Sequence, residues 1–360
     1  PSPRVLIVGA GPAGLMAAEI LAQGGARVTV HERMPSPARR LLMAGRGGLN
    51  LTHSEPLEDM LGRYGDRAGR LEPLLRAFPP EALRAWSEGL GQETFVGSSG
   101  RVFPRAMKAS PLVRAWTRRL DALGVELRLR STWTGWDDQG QAVFRDAGGA
   151  ETAEAADAVL LALGGGTWPR LGADGSWTAA LAGAGVVPAT LRPANCGFRV
   201  EPFSPQLAAF AGEPLKSVEL SHGERRVRGE LILTRQGLEG GAVYALSAGL
   251  RDQIESAGAA TLTVDLRPDR TAADLAARLA RTDRRASVSN RLRKALALSP
   301  AAIALVREGG PLPADPDGLA DRVKAVSLRL VETSGMARAI STAGGIRFED
   351  LGPDLQAGSQ

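Results

Sequence analysis

Three glycines near the N-terminus have the spacing of a turn that binds a diphosphate. Gly9, Gly11 and Gly14 stand in the order G-x-G-x-x-G, with Pro12 and Ala13 between the last two. Glycine at the first position permits a sharp turn, at the second it lets a pyrophosphate approach the backbone, and at the third it lets a helix lie close to a sheet. The N–H groups and the positive end of that helix would face the diphosphate. The pattern therefore predicts a site for an adenine dinucleotide.

An acidic residue follows at the place where such a site holds its ribose. Glu32 comes about 20 residues after the glycines, where a carboxylate accepts hydrogen bonds from the ribose hydroxyls of an adenosine. Its charge would also repel a 2′-phosphate. The neighbouring Arg33 is predicted to belong to the same cofactor site. FAD and NAD both fit this pattern, so the cofactor stays open at this point.

These residues need a strand, a helix and a second strand to position them. Residues 5–8 form a short apolar run that is typical of a buried parallel strand. Apolar residues from Leu15 to Ala22 then recur at helical spacing, and residues 26–30 predict a second strand that ends just before Glu32. A lone G-x-G-x-x-G is weak evidence, whereas one embedded in this order of elements is strong.

A second glycine-rich turn favours FAD. Residues 159–163 form another apolar strand, which is followed by Gly164, Gly165 and Gly166. In flavoproteins with two such motifs the chain returns to the sheet through a strand of this kind and passes beside the dinucleotide. A buried strand that merely ends in a glycine turn stays open as the alternative.

Composition excludes several classes of protein. A length of 360 residues corresponds to about two or three domains, and 44% apolar with 23% charged residues excludes a disordered or collagen-like chain. No apolar run approaches the roughly 18 residues of a bilayer span, and the first one contains Glu19. Cys196, the single cysteine, excludes an intrachain disulfide, and the histidines lack zinc-ligand spacing. We therefore expect no metal site, no membrane association and a cytoplasmic location.

Positive charge is spread along the sequence. The formal net charge is +5, and most basic residues are arginines. Beyond the doublets Arg39–Arg40 and Arg284–Arg285 there is no basic run, so a nucleic-acid partner is disfavoured. An RNA-associated flavoprotein stays open on the arginine content alone, and it would bind RNA with a steep salt dependence.

Further elements are predicted around the dinucleotide unit. Helices at 78–90 and 111–123 precede a strand at 125–129, which extends the parallel sheet.

From about residue 191 the pattern changes to a mostly antiparallel β insert. It predicts a hairpin at 218–233 and a strand at 261–266. A capping box at 271–274 then starts a series of short helices, which continue to a loop at 309–318.

Five further stretches carry a resemblance to a known family. They are 40–53 (RLLMAGRGGLNLTH), 100–104 (GRVFP) with 107–110 (MKAS), 163–169 (LGGGTWP), 234–241 (TRQGLEGG) and 341–346 (STAGGI). In this order they resemble the YhiN/BaiN-like family of bacterial FAD-dependent oxidoreductases, also described as aminoacetone-oxidase-like flavoproteins. The match covers nearly the entire chain.

The resemblance implies an α/β fold. Its Rossmann-type, glutathione-reductase-like FAD-binding domain is discontinuous and carries inserted antiparallel β and small helical subdomains. The FAD-binding domain is predicted at 1–190 plus 340–360, the β-rich insert at 191–268 plus 325–339, and the helical subdomain at 269–324.

The glycine-rich loop at 40–52 suits a polyanionic cofactor, and by resemblance it lies along the FAD. Arg40 and Arg46 can offset phosphate charge, and the glycines offer backbone N–H groups in tight turns. Asn50, toward the ribityl or flavin end, and Thr52 can hydrogen-bond polar edges.

Two other segments and one histidine are placed by the resemblance. The turn at Thr132–Trp133 lies near the adenine, although Trp133 also fits a packing role, and Gly344 and Gly345 let the backbone approach the flavin ring. His53 either relays protons or makes only loop contacts. The predicted cofactor-binding residues are Gly9, Gly11, Pro12, Ala13, Gly14, Glu32, Arg33, Arg40, Gly47, Gly48, Asn50, Thr52, Trp133, Gly164, Gly165, Gly344 and Gly345.

The function implied is that of an FAD-dependent oxidoreductase acting on an unidentified small molecule. Redox chemistry belongs to the flavin, while the protein supplies position, polarity and water exclusion, so no catalytic residue is predicted. No second G-x-G-x-x-G follows a strand. NAD(P)H would therefore dock transiently as the electron donor, or the substrate itself would reduce the flavin.

An alternative function follows from the C-terminal segment. The family continues after residues 341–346 with a strand that carries a Gly-Glu motif and a Thr-Gly-Gly-Tyr helix start, both of which contact the flavin. This sequence ends at Gln360. The alternative expectation is an FAD-binding protein with little or no turnover.

Overall fold

The apolar run near the N-terminus forms an inner strand of a parallel sheet. Strand β1 (Arg4–Val8) pairs with β2 (Arg27–Glu32) on one side and with β10 (Ala158–Leu161) on the other. Strand β6 (Glu126–Leu129) pairs with β2 and completes the order β10-β1-β2-β6. The four predicted strands of the sheet are therefore confirmed.

Cα packing divides the chain into two units. Described residues of Pro1–Gly164 and Arg170–Val187 form unit 1, and those of Gly165–Pro169 and Pro188–Gln360 form unit 2. No helix in the described residues has the length and the apolar character that a bilayer crossing needs. The computed structural model describes residues 2–45, 47–183, 185–283, 285–352 and 354–356.

Besides the parallel sheet, unit 1 contains helices and two small antiparallel sheets. The helices are α1 (Pro12–Gln23), α2 (Arg39–Ala44), α3 (Leu57–Gly62), α4 (Ala68–Ala77), α5 (Pro80–Gly89), α6 (Ala109–Ala122) and α7 (Trp177–Gly183). One antiparallel sheet has the order β3 (Thr52–His53), β5 (Arg101–Pro104) and β4 (Thr94–Val96), and the other the order β7 (Thr132–Trp136), β8 (Ala142–Arg145) and β9 (Glu151–Glu154).

Two local predictions in unit 1 are wrong. The stretch that begins at Arg40 is not loop at its start, because residues up to Ala44 belong to α2. The predicted turn at Thr132–Trp133 is the beginning of β7, whose pairing with β8 makes it extended. In both cases a short element is formed by pairing or packing with distant residues, and local composition did not indicate it.

A closed six-stranded barrel forms the centre of unit 2. Its strands, in order around the barrel, are β12 (Phe198–Val200), β15 (Gly237–Glu239), β14 (Arg225–Leu233), β13 (Pro214–His222), β16 (Ala260–Asp265) and β17 (Val326–Thr333). Each neighbouring pair is antiparallel, and pairing of β12 with β17 closes the barrel. The predicted hairpin and the strand at 261–266 are confirmed. Leu231, Leu233, Leu262 and Val264 alternate along their strands into one buried core.

Six helices of unit 2 pack on the barrel or on one another, and the described part of this unit also contains a two-stranded sheet. The helices are α8 (Pro205–Ala208), α9 (Gly241–Ala257), α10 (Ala272–Ala280), α11 (Val288–Leu296), α12 (Pro300–Glu308) and α13 (Pro316–Lys324), and the sheet pairs β11 (Ala189–Ala194) with β18 (Ser341–Gly345).

Local hydrogen bonds start the short helices of unit 2. The Thr271 hydroxyl accepts from the backbone N–H of Asp274 at 3.1 Å, which confirms the cap predicted there. The predicted loop at 309–318 is too long, because Asp315 caps α13 and Pro316 begins it. The contacts place β18 with unit 2; the three-part division of the sequence stays a prediction.

Candidate functional site

Two of the three N-terminal glycines are required by the way the chain packs on itself. Gly9 has φ +105°, and a Cβ atom there would overlap the carbonyl oxygen of Ala162, next to the end of β10. A Cβ atom on Gly14 would overlap the carbonyl oxygen of Gly9. These glycines therefore hold α1 close to the sheet, as the G-x-G-x-x-G pattern predicts.

Gly11 differs because nothing in the chain requires a glycine there. Its φ of −80° and ψ of 179° suit any residue, and a Cβ atom would meet no atom within 4 Å. Gly11 is also the N-cap of α1, Pro12 opens the helix, and the first turn holds no acidic side chain. Open space lies beside an uncapped helix N-terminus, which is the environment that a diphosphate needs. The residues present thus fit a dinucleotide.

Glu32 connects the end of β2 to the glycine turn. Its Oε2 accepts from the backbone N–H of Ala10 at 2.9 Å, and its Oε1 accepts from that of Met34 at 2.8 Å. An ionised carboxylate has about four lone-pair positions. Backbone groups of the described residues use two of these positions, so two others are open to the predicted ribose hydroxyls.

We expect Glu32→Ala to weaken FAD binding by about 1 to 3 kcal/mol, because charge-assisted hydrogen bonds to the ribose and the support of the turn at Ala10 are both lost. Isothermal titration with FAD measures the change. Glu151→Ala is the control, since Glu151 lies in an exposed ion pair with Arg145 on the same unit. Equal affinities in the two variants would refute the role of Glu32.

Arg33 is held by a partner that the sequence did not reveal. Its guanidinium donates to both carboxylate oxygens of Asp174, at 2.9 and 2.7 Å, and to Ser176 Oγ at 3.1 Å. The hydrogen bond from Arg33 holds the pKa of Asp174 well below its usual range. A Cβ atom on Gly172 would lie 3.9 Å from Glu32 Oε1, so this loop borders the predicted ribose site. The Asp-Gly-Ser pattern at 174–176 predicts a turn, but not its partner.

The glycine-rich loop packs on the elements that follow it. A Cβ atom on Gly45 would lie 2.5 Å from the Ala109 side chain, and one on Gly48 would lie 2.9 Å from Met107. A Cβ atom on Gly47 would be in open space. Close packing therefore explains why positions 45 and 48 hold glycine, whereas Gly47 has room beside it for a ligand.

The polar residues of this loop are spread over several elements. Arg40 lies on α2, where burial lowers its pKa, Asn50 is exposed, and Thr52 is half-buried on β3. His53 contacts the carbonyl oxygen of Ser99 at 3.0 Å through Nε2 and accepts from the backbone N–H of Glu55 through Nδ1, so it makes loop contacts. Arg46 lies outside the described residues. Their roles toward FAD stay predictions.

Trp133 and the later glycines occupy different places. Trp133 is buried on β7 and packs edge-on against Trp136 at 4.7 Å, and its Nε1 has no hydrogen-bond partner in the described part of the chain. Gly164, with φ +72°, has open space at its Cβ position. Within unit 2, a Cβ atom on Gly165 would overlap the Thr342 hydroxyl.

Gly344 and Gly345 also belong to unit 2, at the end of β18. Their φ angles of +92° and +105° favour glycine, and a Cβ atom on Gly344 would overlap the carbonyl oxygen of Thr190. Pairing of β18 with β11 thus explains Gly344 without a ligand. The predicted approach of these two residues to a flavin stays a prediction.

Comparison with known families identifies the chain. The family model described as "HI0933-like protein Rossmann domain" matches residues 3–357. The chain belongs to this family. As an HI0933-like protein it has the Rossmann-type FAD-binding fold, in which a parallel sheet is combined with antiparallel sheets, and the predicted family is confirmed. No curated protein matches the sequence.

Several solved structures are similar to this chain at low sequence identity. The 3-ketosteroid-delta4-(5alpha)-dehydrogenase from Rhodococcus jostii RHA1 has 16% identity and a TM-score of 0.45 over 99% of this chain and 87% of that chain. The open conformation of a flavocytochrome c3 fumarate reductase has 17% identity and a TM-score of 0.45 over 93% and 67%. Thermovibrio ammonificans THI4 has 18% identity and a TM-score of 0.31 over 45% and 58%, so this chain spans less than two thirds of THI4.

A buried histidine, His31, directly precedes Glu32 at the end of β2. His31 stacks on Phe144 with ring centroids 3.6 Å apart, and its Nδ1 lies 2.8 Å from Ser131 Oγ. Its Nε2 lies 3.6 Å from Glu154, whose carboxylate also binds Arg128 at 2.6 Å. Burial lowers the pKa of His31 to about 4, although Glu154 opposes the shift. His31 is therefore neutral near pH 7.

This histidine should make folding sensitive to acid. Between about pH 6.5 and pH 4 the unfolded chain binds a proton at His31 and the folded chain does not, so the stability present above pH 6.5 decreases as the pH falls to 4. The loss is on the order of 3 kcal/mol. Urea unfolding across this range should show the full loss in the wild type and in His222→Phe. His31→Phe should show a clearly smaller loss, which comes from carboxylates such as Asp174, whose pKa is lowered by Arg33. A parallel pH dependence in all three proteins would contradict the assignment to His31.

Proposed function

We propose that this HI0933-like chain binds FAD and is a flavin-dependent oxidoreductase of a small molecule. The observation that carries the proposal is the open space at Gly11, since the chain's own packing explains Gly9 and Gly14 but not Gly11. Family membership supports the same cofactor.

The chain's own residues would hold the two ends of the adenosine diphosphate. Backbone N–H groups of the first turn of α1 would face the phosphates, and the carboxylate of Glu32 would accept from the ribose hydroxyls with its two remaining lone-pair positions. When bound, FAD supplies the electron or hydride transfer, which no side chain can perform. The Arg33–Asp174 pair fixes the loop that borders Glu32.

The chain's thiol does not add a second redox centre. Cys196 is buried in unit 2, and burial raises its pKa to about 11. Little thiolate forms near neutral pH, so the thiol is poorly reactive. Electrons would come from NAD(P)H that docks transiently or from the substrate itself.

The test is a visible spectrum followed by anaerobic reduction. Purified protein is loaded with FAD, freed of unbound flavin, and mixed without oxygen with NADH, NADPH or simple amines. Bleaching of the flavin absorbance by one of these supports the proposal and identifies the class of donor. Retention of FAD without bleaching supports the alternative of a flavin-binding protein with little turnover. A colourless protein that takes up no added FAD would overturn both.

A further inference from the structure

One segment in the helical part of unit 2 has a larger net positive charge than the whole chain. Between residues 278 and 294 the sequence holds a single acidic residue, Asp283. The basic residues of the same segment are Arg278, Arg281, Arg284, Arg285, Arg291, Arg293 and Lys294. The net charge of the chain is +5, so the remaining residues are close to neutral together.

The fold leaves four of these seven cations exposed, and none of the four has a carboxylate partner in the part of the chain that the structure describes. Arg281 follows α10, Arg285 lies in the turn before α11, and Arg293 and Lys294 lie in the last turn of α11; all four are exposed. Arg307 on α12 joins them, because its guanidinium donates to Ser289 Oγ on α11 at 2.7 Å. We call these five residues the basic surface.

Neutral groups hold two of these side chains in place. Arg293 donates to Asn290 Oδ1 at 3.0 Å, and Ser289, the partner of Arg307, lies one turn before Arg293 on the same face of α11. Within the described residues, none of the five forms an ion pair with a carboxylate. By contrast, Arg270 and Arg278 share the carboxylate of Asp274. The basic surface thus keeps its charge available for an external anion.

The composition of this region shows which polyanion fits. Residues 271–324 contain no Phe, Trp or Tyr, so this segment supplies no ring of its own to stack on an unpaired base. The apolar side chains of α10 and α11, such as Leu279 and Leu292, are buried in the core of unit 2 and cannot enter a bilayer. Exposed arginine side chains on helices whose own apolar residues are buried suit the regularly spaced phosphates of a duplex.

We propose that the basic surface binds the phosphate backbone of duplex nucleic acid without sequence preference. The proposal does not depend on the flavin site. A sequence without long basic runs disfavours such a partner. The structure changes this expectation because it places dispersed arginines next to α11, where they have no carboxylate partner among the described residues.

The test compares two variants that lose the same charge. The first replaces Arg281, Arg285, Arg293 and Lys294 by Gln, and the matched control replaces four exposed cations of other elements, Arg27, Arg114, Lys216 and Arg225, by Gln. Binding to a fluorescent DNA duplex of about 20 base pairs is followed by anisotropy from about 50 to 200 mM KCl. Circular dichroism confirms that both variants fold.

We expect wild-type binding to weaken steeply with salt. In the first variant the slope of log K against log salt should be smaller by about 3 to 4, at about 0.9 for each phosphate contact that is lost. This variant should also bind at least about tenfold more weakly than the wild type at 100 mM salt. The affinity of the control should stay within about twofold of that of the wild type. The absence of wild-type binding at about 50 mM salt, or an equal loss in both variants, would overturn the proposal. Tighter binding to single-stranded RNA or to phosphatidylserine vesicles than to the duplex would overturn it as well.

Discussion

Gly11→Val should abolish flavin retention in a chain that still folds. The valine Cβ atom would enter space in which the protein has no atom within 4 Å, and the φ of −80° allows a β-branched residue without strain. When a dinucleotide binds, the valine side chain would occupy the place where the diphosphate approaches the backbone. We expect FAD affinity to fall at least about 100-fold, which is about 2.7 kcal/mol. Titration with FAD, followed by flavin fluorescence, measures the loss.

The neighbouring glycines make a matched control for this prediction. Gly14→Ala adds a smaller side chain, but its Cβ atom would overlap the carbonyl oxygen of Gly9. We therefore expect Gly14→Ala to lower the melting temperature together with FAD binding, whereas Gly11→Val should leave the melting temperature within a few degrees of the wild type. Unchanged FAD binding in Gly11→Val would remove the basis of the proposed function.

The dinucleotide unit could be predicted because its signals are local. Residues 4–32 contain the strand, the glycines, the helix and the acid in one continuous stretch, and each has its own physical reason. The structure confirms that β1, α1 and β2 follow one another and that Glu32 lies at the glycine turn. Local spacing was sufficient to predict the order of these elements. The packing partner that requires glycine at position 9, Ala162, lies far along the sequence and was not predicted.

Features that depend on distant partners could not be predicted in the same way. Closure of the barrel requires β12 to pair with β17, which joins Phe198 to Thr333. The Arg33–Asp174 pair joins residues that are 141 positions apart. No periodicity reports such pairings, so the insert was predicted as antiparallel strands without closure, and Arg33 as a cofactor residue without its protein partner.

Glu19 shows how far a residue's role can differ from its sequence signal. In the sequence it served only as evidence against a membrane span, since a carboxylate interrupts an apolar helix. In the structure it is 2% exposed on α1. Its Oε2 accepts from the indole N–H groups of Trp116 at 2.7 Å and Trp86 at 3.1 Å, and its Oε1 accepts from Arg119 at 2.9 Å. One buried carboxylate thus joins α1 to α5 and α6.

Glu19→Ala should therefore destabilise the protein by about 3 to 5 kcal/mol. It removes the acceptor of two indole donors and the negative charge that balances Arg119, which then keeps, among the described residues, only its hydrogen bond to the carbonyl oxygen of Gly89. Urea unfolding measures the change. Glu93→Ala is the control: Glu93 pairs with Arg105 at the surface, where side chains 77% and 68% exposed keep their water, and its loss should cost less than about 1 kcal/mol. Glu19→Gln should lie between the two, since an amide oxygen still accepts a hydrogen bond but does not neutralise Arg119. If Glu19→Ala lowered the free energy of unfolding no more than the surface control does, the buried carboxylate would contribute nothing to the packing of α1.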